Sequence, residues 1–112
     1  MSDLQELTNK LLEFRNARDW EQFHDSKNLA TAISIEAAEL NELFLWKNLE
    51  QSEEVDRDKI KDEIADILAY TLLLAERHGF NVKEIVLEKI AKNNEKYPVE
   101  KAKGNSKKYT EL

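Results

Sequence analysis

The chain predicts an all-α fold, a four-helix bundle with a basic C-terminal tail, and three observations predict it. Two Gly and one Pro in 112 residues are too few breakers for a loop-rich or all-β protein. A hydrophobic share of 41% beside 36% charged residues fits amphipathic helices, not disorder. Apolar residues also recur at helical spacing in four successive stretches. The length suits one domain with one modest core, so residues 1–112 are read together, with a tail from about residue 99.

The first helix is expected from about Asp3 to Asp19, on the stripe Leu4, Leu7, Leu11, Leu12 and Phe14, with Ser2 or Asp3 capping its start. Trp20 to Lys27 lacks a sustained stripe and reads as a connector, yet it holds Trp20, Phe23 and His24. The second helix is expected to begin near Ser26, a good N-cap residue, and to reach about Lys47 on Leu29, Ile33, Leu40, Leu43 and Phe44. A charged connector then covers Asn48 to about Asp56. The third helix carries Ile60, Ile64, Ile67, Leu68, Leu72, Leu74 and Ala75 and ends before Gly79, a left-handed C-cap. Asn81 caps the fourth, whose stripe is Val82, Ile85, Val86, Lys89, Ile90 and Asn93, and Pro98 stops it. The tail is basic through Lys101, Lys103, Lys107 and Lys108. The second and third helices are apolar on more than one face. In so small a chain that predicts burial by a second copy, in a homodimer or homotetramer, the alternative being a monomer with a generous core.

Composition removes several functions. Without cysteine there is no disulfide, thiolate site or cysteine nucleophile, and two histidines do not make the usual structural zinc site. No secretory signal is visible at Met1-Ser2-Asp3-Leu4, and the apolar run from Ile64 to Ala75 is too short to span a bilayer. A soluble, cytoplasmic protein without a membrane partner is expected. A net charge of −6 argues against binding a nucleic-acid polymer, but a single nucleotide needs only a cation and a few lysines.

Chemistry concentrates in two acidic pairs, Glu36/Glu39 and Glu63/Asp66, each three residues apart within apolar helical sequence. Positions i and i+3 share a helix face, so each pair directs two carboxylates the same way. If the two helices pack antiparallel, four carboxylates converge. Such a cluster does not stay ionised and buried without a cation. Oxygen-only ligation suits a hard divalent ion such as Mg²⁺, and Mg²⁺ points to phosphate chemistry. Glu50/Glu53 has the same spacing but lies in a charged connector and reads as solvated surface.

On spacing alone, Lys89 and Asn93 divide evenly between structure and function, while for Trp20, His24 and Trp46 packing is the leading reading. Lys89 and Asn93 lie four apart on the apolar stripe of the fourth helix, where Lys89 either snorkels to water or meets a phosphate. Trp20, His24 and Trp46 flank the second helix, as packing residues or as a slot for a flat base. Tyr70 follows Asp66 by four residues and faces the same way.

These residues together resemble the MazG-like, all-α nucleoside triphosphate pyrophosphohydrolases, whose hallmark is E-x-x-E followed at a distance by E-x-x-D. Within them the chain looks most like the dCTP pyrophosphatase branch. Phe14-Arg15, the run Arg18 to His24, Asn28-Leu29, Glu42-Leu43-Phe44, Trp46-Lys47, Lys89-x-x-x-Asn93, Tyr97-Pro98 and Lys108-Tyr109-Thr110 carry that likeness. One departure is Ala37-Ala38 between the first acids, where relatives often have Val-Gly. The resemblance implies Mg²⁺-dependent hydrolysis of the α–β phosphoanhydride of a dCTP-like nucleotide, with Glu36, Glu39, Glu63 and Asp66 holding the ion and Glu39 also serving as base. It implies Lys89 and Asn93 on the phosphates or sugar, Tyr70 at the sugar end, and Trp20, His24 and Trp46 around the base. Lys108 and Tyr109 would fold over the triphosphate of the same or a neighbouring subunit. The competing reading is a non-enzymatic helical interaction module whose acids pair with basic residues between helices.

Overall fold

In the computed structural model, which describes residues 1–112, every regular element is a helix or a helical turn. Two units follow each other, Met1–Gly79 and Phe80–Leu112.

In the first unit, α1 (Asp3–Ala17) opens where the Ser2 hydroxyl accepts from the Gln5 amide at 3.1 Å. It closes in a Schellman motif with no glycine. Asp19 takes the left-handed position (φ 55°), its amide donates to the Asn16 carbonyl, and the Trp20 amide donates to the Arg15 carbonyl at 3.1 Å. Asp tolerates that conformation better than most residues. The motif's usual hydrophobic contact is present, with the Phe14 and Trp20 rings edge to face at 5.7 Å. A 3₁₀ turn, Glu21–Phe23, follows.

Helix α2 (Ser26–Glu42) is capped one residue earlier than expected. Asp25, not Ser26, accepts from the Asn28 amide, at 2.7 Å. That leaves the Ser26 hydroxyl free to bond His78 Nε2 at 2.9 Å. The helix also ends at Glu42, short of the expected Lys47. Leu43, Phe44 and Leu45 donate back three residues, to Leu40, Asn41 and Glu42, and Trp46 then turns left-handed at φ 62°. The charged connector contains a short α3 (Leu49–Ser52), fixed by a reciprocal capping box between Asn48 and Gln51.

Helix α4 (Arg57–Arg77) starts at the Asp56 cap and ends in the expected left-handed Gly79, at φ 69°. It is the central element, packing on α2 and, less extensively, on α1. The α2–α4 pair is antiparallel, because Ser26 at the start of α2 meets His78 beyond the end of α4 while Glu36 approaches Glu63 farther along. Leu29, Leu72, Leu73 and Ala75 are the buried core, all toward the Ser26–His78 end. Leu72→Ala is expected to cost about 2–5 kcal/mol by leaving a cavity there, seen as a lower urea midpoint with an unchanged slope.

The second unit holds α5 (Val82–Lys96), capped by Asn81 Oδ1 on the Glu84 amide at 3.0 Å, and a short α6 (Val99–Ala102) after Pro98. A last 3₁₀ turn, Tyr109–Glu111, brings the Tyr109 ring to 6.0 Å from Tyr97, with Lys96 Nζ 4.9 Å from the Tyr109 ring. No helix is long and apolar enough to cross a membrane.

Candidate active site

Antiparallel pairing sets the acids of α2 and α4 face to face. One carboxylate oxygen from each of Glu36, Glu39 and Glu63 lies within 4.8 Å of the other two. Glu36 and Glu63 are half-buried and Glu39 is exposed. Asp66, one turn beyond Glu63, stands outside this triad, but its charge reaches both Glu36 and Tyr70. Three of the four expected ligands therefore converge and the fourth borders them.

No cation of the protein balances the cluster. The Glu36 and Glu63 Oε2 atoms are buried without a hydrogen-bond donor. Burial raises Glu36 to about 7, helped by Glu39 and Glu63 as partners that bond only a protonated carboxyl and by the charges of Glu39 and Asp66. Either a proton or a metal ion must fill that gap. Paired, unsatisfied carboxylate oxygens in an all-oxygen set are what a hard divalent cation fits. Tyr70 is also pushed up, by burial first and then by the charges of Glu36, Asp66 and Glu39. It remains a phenol at neutral pH and can donate a hydrogen bond toward this acidic edge.

Beside the acids, α1, the 3₁₀ turn region and α4 enclose a largely apolar cavity of about 220 Å³, with Phe14, Arg15, Trp20, His24, Asp66 and Tyr70 in its walls. Its rings form a series. Phe14 meets Trp20, Trp20 lies 6.4 Å from His24, and His24 lies 6.4 Å from Tyr70. Outside it, the Arg18 guanidinium covers the Phe14 ring at 3.7 Å and donates to the Phe14 carbonyl, clamping the wall. His24 Nδ1 is buried and unpartnered. Burial, then the Arg15 charge, lowers the His24 pKa, so the ring is neutral at physiological pH.

Trp20, His24, Tyr70 and Asp66 thus share one cavity. Trp46 does not line it. It stands on the turn after α2, 92% exposed and bordering a separate hollow with Ala38, Asn41 and Phe44. In the second unit Lys89 and Asn93 are exposed on α5, and the Asn93 carbonyl accepts from the Tyr97 amide at 2.8 Å. Tyr109 is engaged by Tyr97 and Lys96 of its own chain. Arg15, which the family likeness includes without assigning it a role, also lines this cavity, from the last turn of α1.

The all-helical fold, with antiparallel helices that set Glu36 and Glu39 against Glu63 and Asp66 at their border, defines an acidic helical domain. The MazG-like family model matches residues 31–112, which include all four acids, and the chain belongs to that family. Trp20 and His24 lie ahead of the matched segment. The chain is similar to dCTP pyrophosphatase 1 of Homo sapiens, at 39% identity over 105 residues, covering 89% of this chain and 62% of that protein. The Bos taurus dCTP pyrophosphatase 1 is 40% identical with the same coverage. The chain therefore spans about 62% of the length of these curated relatives. Among solved structures, a pyrophosphatase from Archaeoglobus fulgidus superposes with a TM-score of 0.83 at 41% identity, over 88% of this chain and 94% of that one.

Proposed function

We propose that the protein hydrolyses the α–β phosphoanhydride of a nucleoside triphosphate, dCTP or a modified dCTP, to the monophosphate and pyrophosphate. It would act as a nucleotide-pool house-cleaning enzyme of the cytoplasm. The observation that carries this reading is the triad of Glu36, Glu39 and Glu63, in which a buried oxygen of Glu36 and one of Glu63 lack any donor, beside a ring-lined cavity. The names of the relatives, dCTP pyrophosphatase 1 and a pyrophosphatase, point the same way.

Glu36, Glu39, Glu63 and Asp66 would hold Mg²⁺. When bound, the ion supplies neutralisation of the phosphates and acidifies water toward neutral pH. Glu39, the exposed member, takes the proton of the attacking water as its oxygen bonds the α-phosphorus and the bridge to the β-phosphate breaks. Trp20 stacks on the base, His24 meets its polar edge, and Tyr70 borders the sugar. Lys89 and Asn93 meet the phosphates or sugar. Lys108 and Tyr109 close over the triphosphate.

Trp46 enters through a second copy in a homodimer or homotetramer. A left-handed Trp costs on the order of 1–3 kcal/mol. At 92% exposure it recovers nothing within its own chain. Partner contact would offset that strain and place the ring at the neighbour's cavity.

The test is pyrophosphate release from the four dNTPs, with and without Mg²⁺. Mg²⁺-dependent release, greatest from dCTP, is expected. Trp46→Ala should lower the dCTP rate at least about tenfold, the effect of losing one stacked base contact. A chain ending at Lys103 should show a raised KM. Release from no dNTP or modified dNTP would return the protein to the interaction-module reading. Unchanged kinetics in either variant would remove that residue from the site.

A further inference from the structure

Arg15 has too little to do for a charged side chain so nearly buried. Its side chain is 13% exposed, and its partners are poor. Nε donates to Asn16 Oδ1 at 3.0 Å, and Nη2 reaches only to 3.7 Å from Glu21 Oε2, a carboxylate that is itself 66% exposed. Nη1 makes no hydrogen bond within the protein. A desolvated guanidinium normally spends its planar fork on a carboxylate, phosphate or carbonyl pair. This one forms part of the wall of the 220 Å³ cavity, with Trp20 and the unpartnered His24 Nδ1.

We infer that Arg15 is a specificity-determining residue, whose guanidinium fork grips two adjacent acceptors on the edge of a flat pyrimidine stacked against Trp20. The inference deepens the reading under Proposed function and rests on its assignment of the cavity to the base.

Cytosine offers such an edge, with N3 and O2 side by side as acceptors and the exocyclic amine beyond them. Uracil and thymine interrupt the edge with an N3–H, so one prong of the fork would meet a donor and stay unpaired. An unpaired buried donor is costly, and that cost, more than the bond gained, generates discrimination. His24 complements the fork. Neutral because of burial and the Arg15 charge, it can hold its proton on Nε2 and accept at Nδ1 from the cytosine amine. Arg15 thus acts on the base directly and keeps its neighbour an acceptor.

The experiment titrates dCMP and dUMP into the full-length protein by calorimetry, for the unaltered chain, Arg15→Met and Arg15→Lys, beside pyrophosphate release from dCTP and dUTP. The unaltered chain should prefer dCMP. Arg15→Met should weaken dCMP about tenfold or more, the worth of a bidentate base contact, and change dUMP by less than about twofold. Arg15→Lys keeps charge and stem, so it controls for folding, and it should not restore the preference. Equal losses for both nucleotides would mean that Arg15 only shapes the pocket, and no loss for either would mean that it only ties α1 to Glu21. Both results overturn the inference. Arg15-dependent binding without pyrophosphate release would sink the proposed reaction and leave Arg15 standing. Release that is indifferent to Arg15 would do the reverse.

Discussion

Glu63→Gln is expected to abolish pyrophosphate release while making the metal-free protein harder to melt. Glutamine keeps the side-chain volume, so the α2–α4 packing around Leu29 and Leu72 is untouched. What changes is charge. One of three converging carboxylates becomes an amide that can donate to Glu36 Oε2, an oxygen that otherwise lacks a donor. Repairing a buried unsatisfied acceptor is worth about 1–3 kcal/mol, or several degrees for a domain of this size. The cation site loses charge and an oxygen together. Disturbing residues that merely support metal ligands costs about 10–100-fold in affinity or activity, so removing a ligand should cost at least the upper end of that. Pyrophosphate release from dCTP and a thermal melt in EDTA check both halves. A variant that is inactive but less stable would mean that Glu63 holds the helix pair together, and an active one would end its role as ligand.

That expected opposition between stability and chemistry is why the acids stand out in sequence. Charge inside an apolar stripe is a local inconsistency, and such inconsistencies concentrate at functional sites. The helical frame was legible for the same kind of reason. Ser2, Asn81 and Gly79 mark ends through their own chemistry, and the structure uses each as its residue type suggests. The end of α2 was not legible. Leu43 to Trp46 carry no glycine or proline and continue the apolar stripe, so nothing local says stop. The helix stops because the Asn48–Gln51 capping box begins a new one, and Trp46 absorbs the mismatch in a left-handed conformation that side chains of its kind avoid. Asp25 displaced Ser26 as the cap because Ser26 has a partner 52 positions away, in His78, which no local rule can see. The place of Arg15 in the cavity wall was not legible for a related reason. Its environment depends on Asp19 turning left-handed and carrying Trp20 and His24 back over α4, a tertiary event set by one residue's φ.

The acid cluster also fixes how stability should follow pH and Mg²⁺. Glu36 titrates near 7 in the folded protein against an ordinary value of 4.5. Between those values the native state keeps a proton that the unfolded chain has released, so the stability of the metal-free protein falls as pH rises through that window. The contribution is whole below about 4.5 and gone above about 7. A divalent ion competes with that proton for the same oxygens, so its effect runs the other way. At pH 5 added MgCl₂ should shift the thermal midpoint little. At pH 8, a hundredfold excess over Kd should restore about 2.7 kcal/mol, roughly 10 °C or more for a chain of this length, and EDTA should remove it. Glu36→Gln should flatten the metal-free pH profile and shrink the Mg²⁺ response together, because one side chain sets both. Melting curves from pH 4 to 8, with and without Mg²⁺, decide the matter. A metal-free midpoint that climbs through the window, or a Mg²⁺ shift equal at pH 5 and pH 8, would show that the triad binds neither the proton nor the ion as its geometry requires.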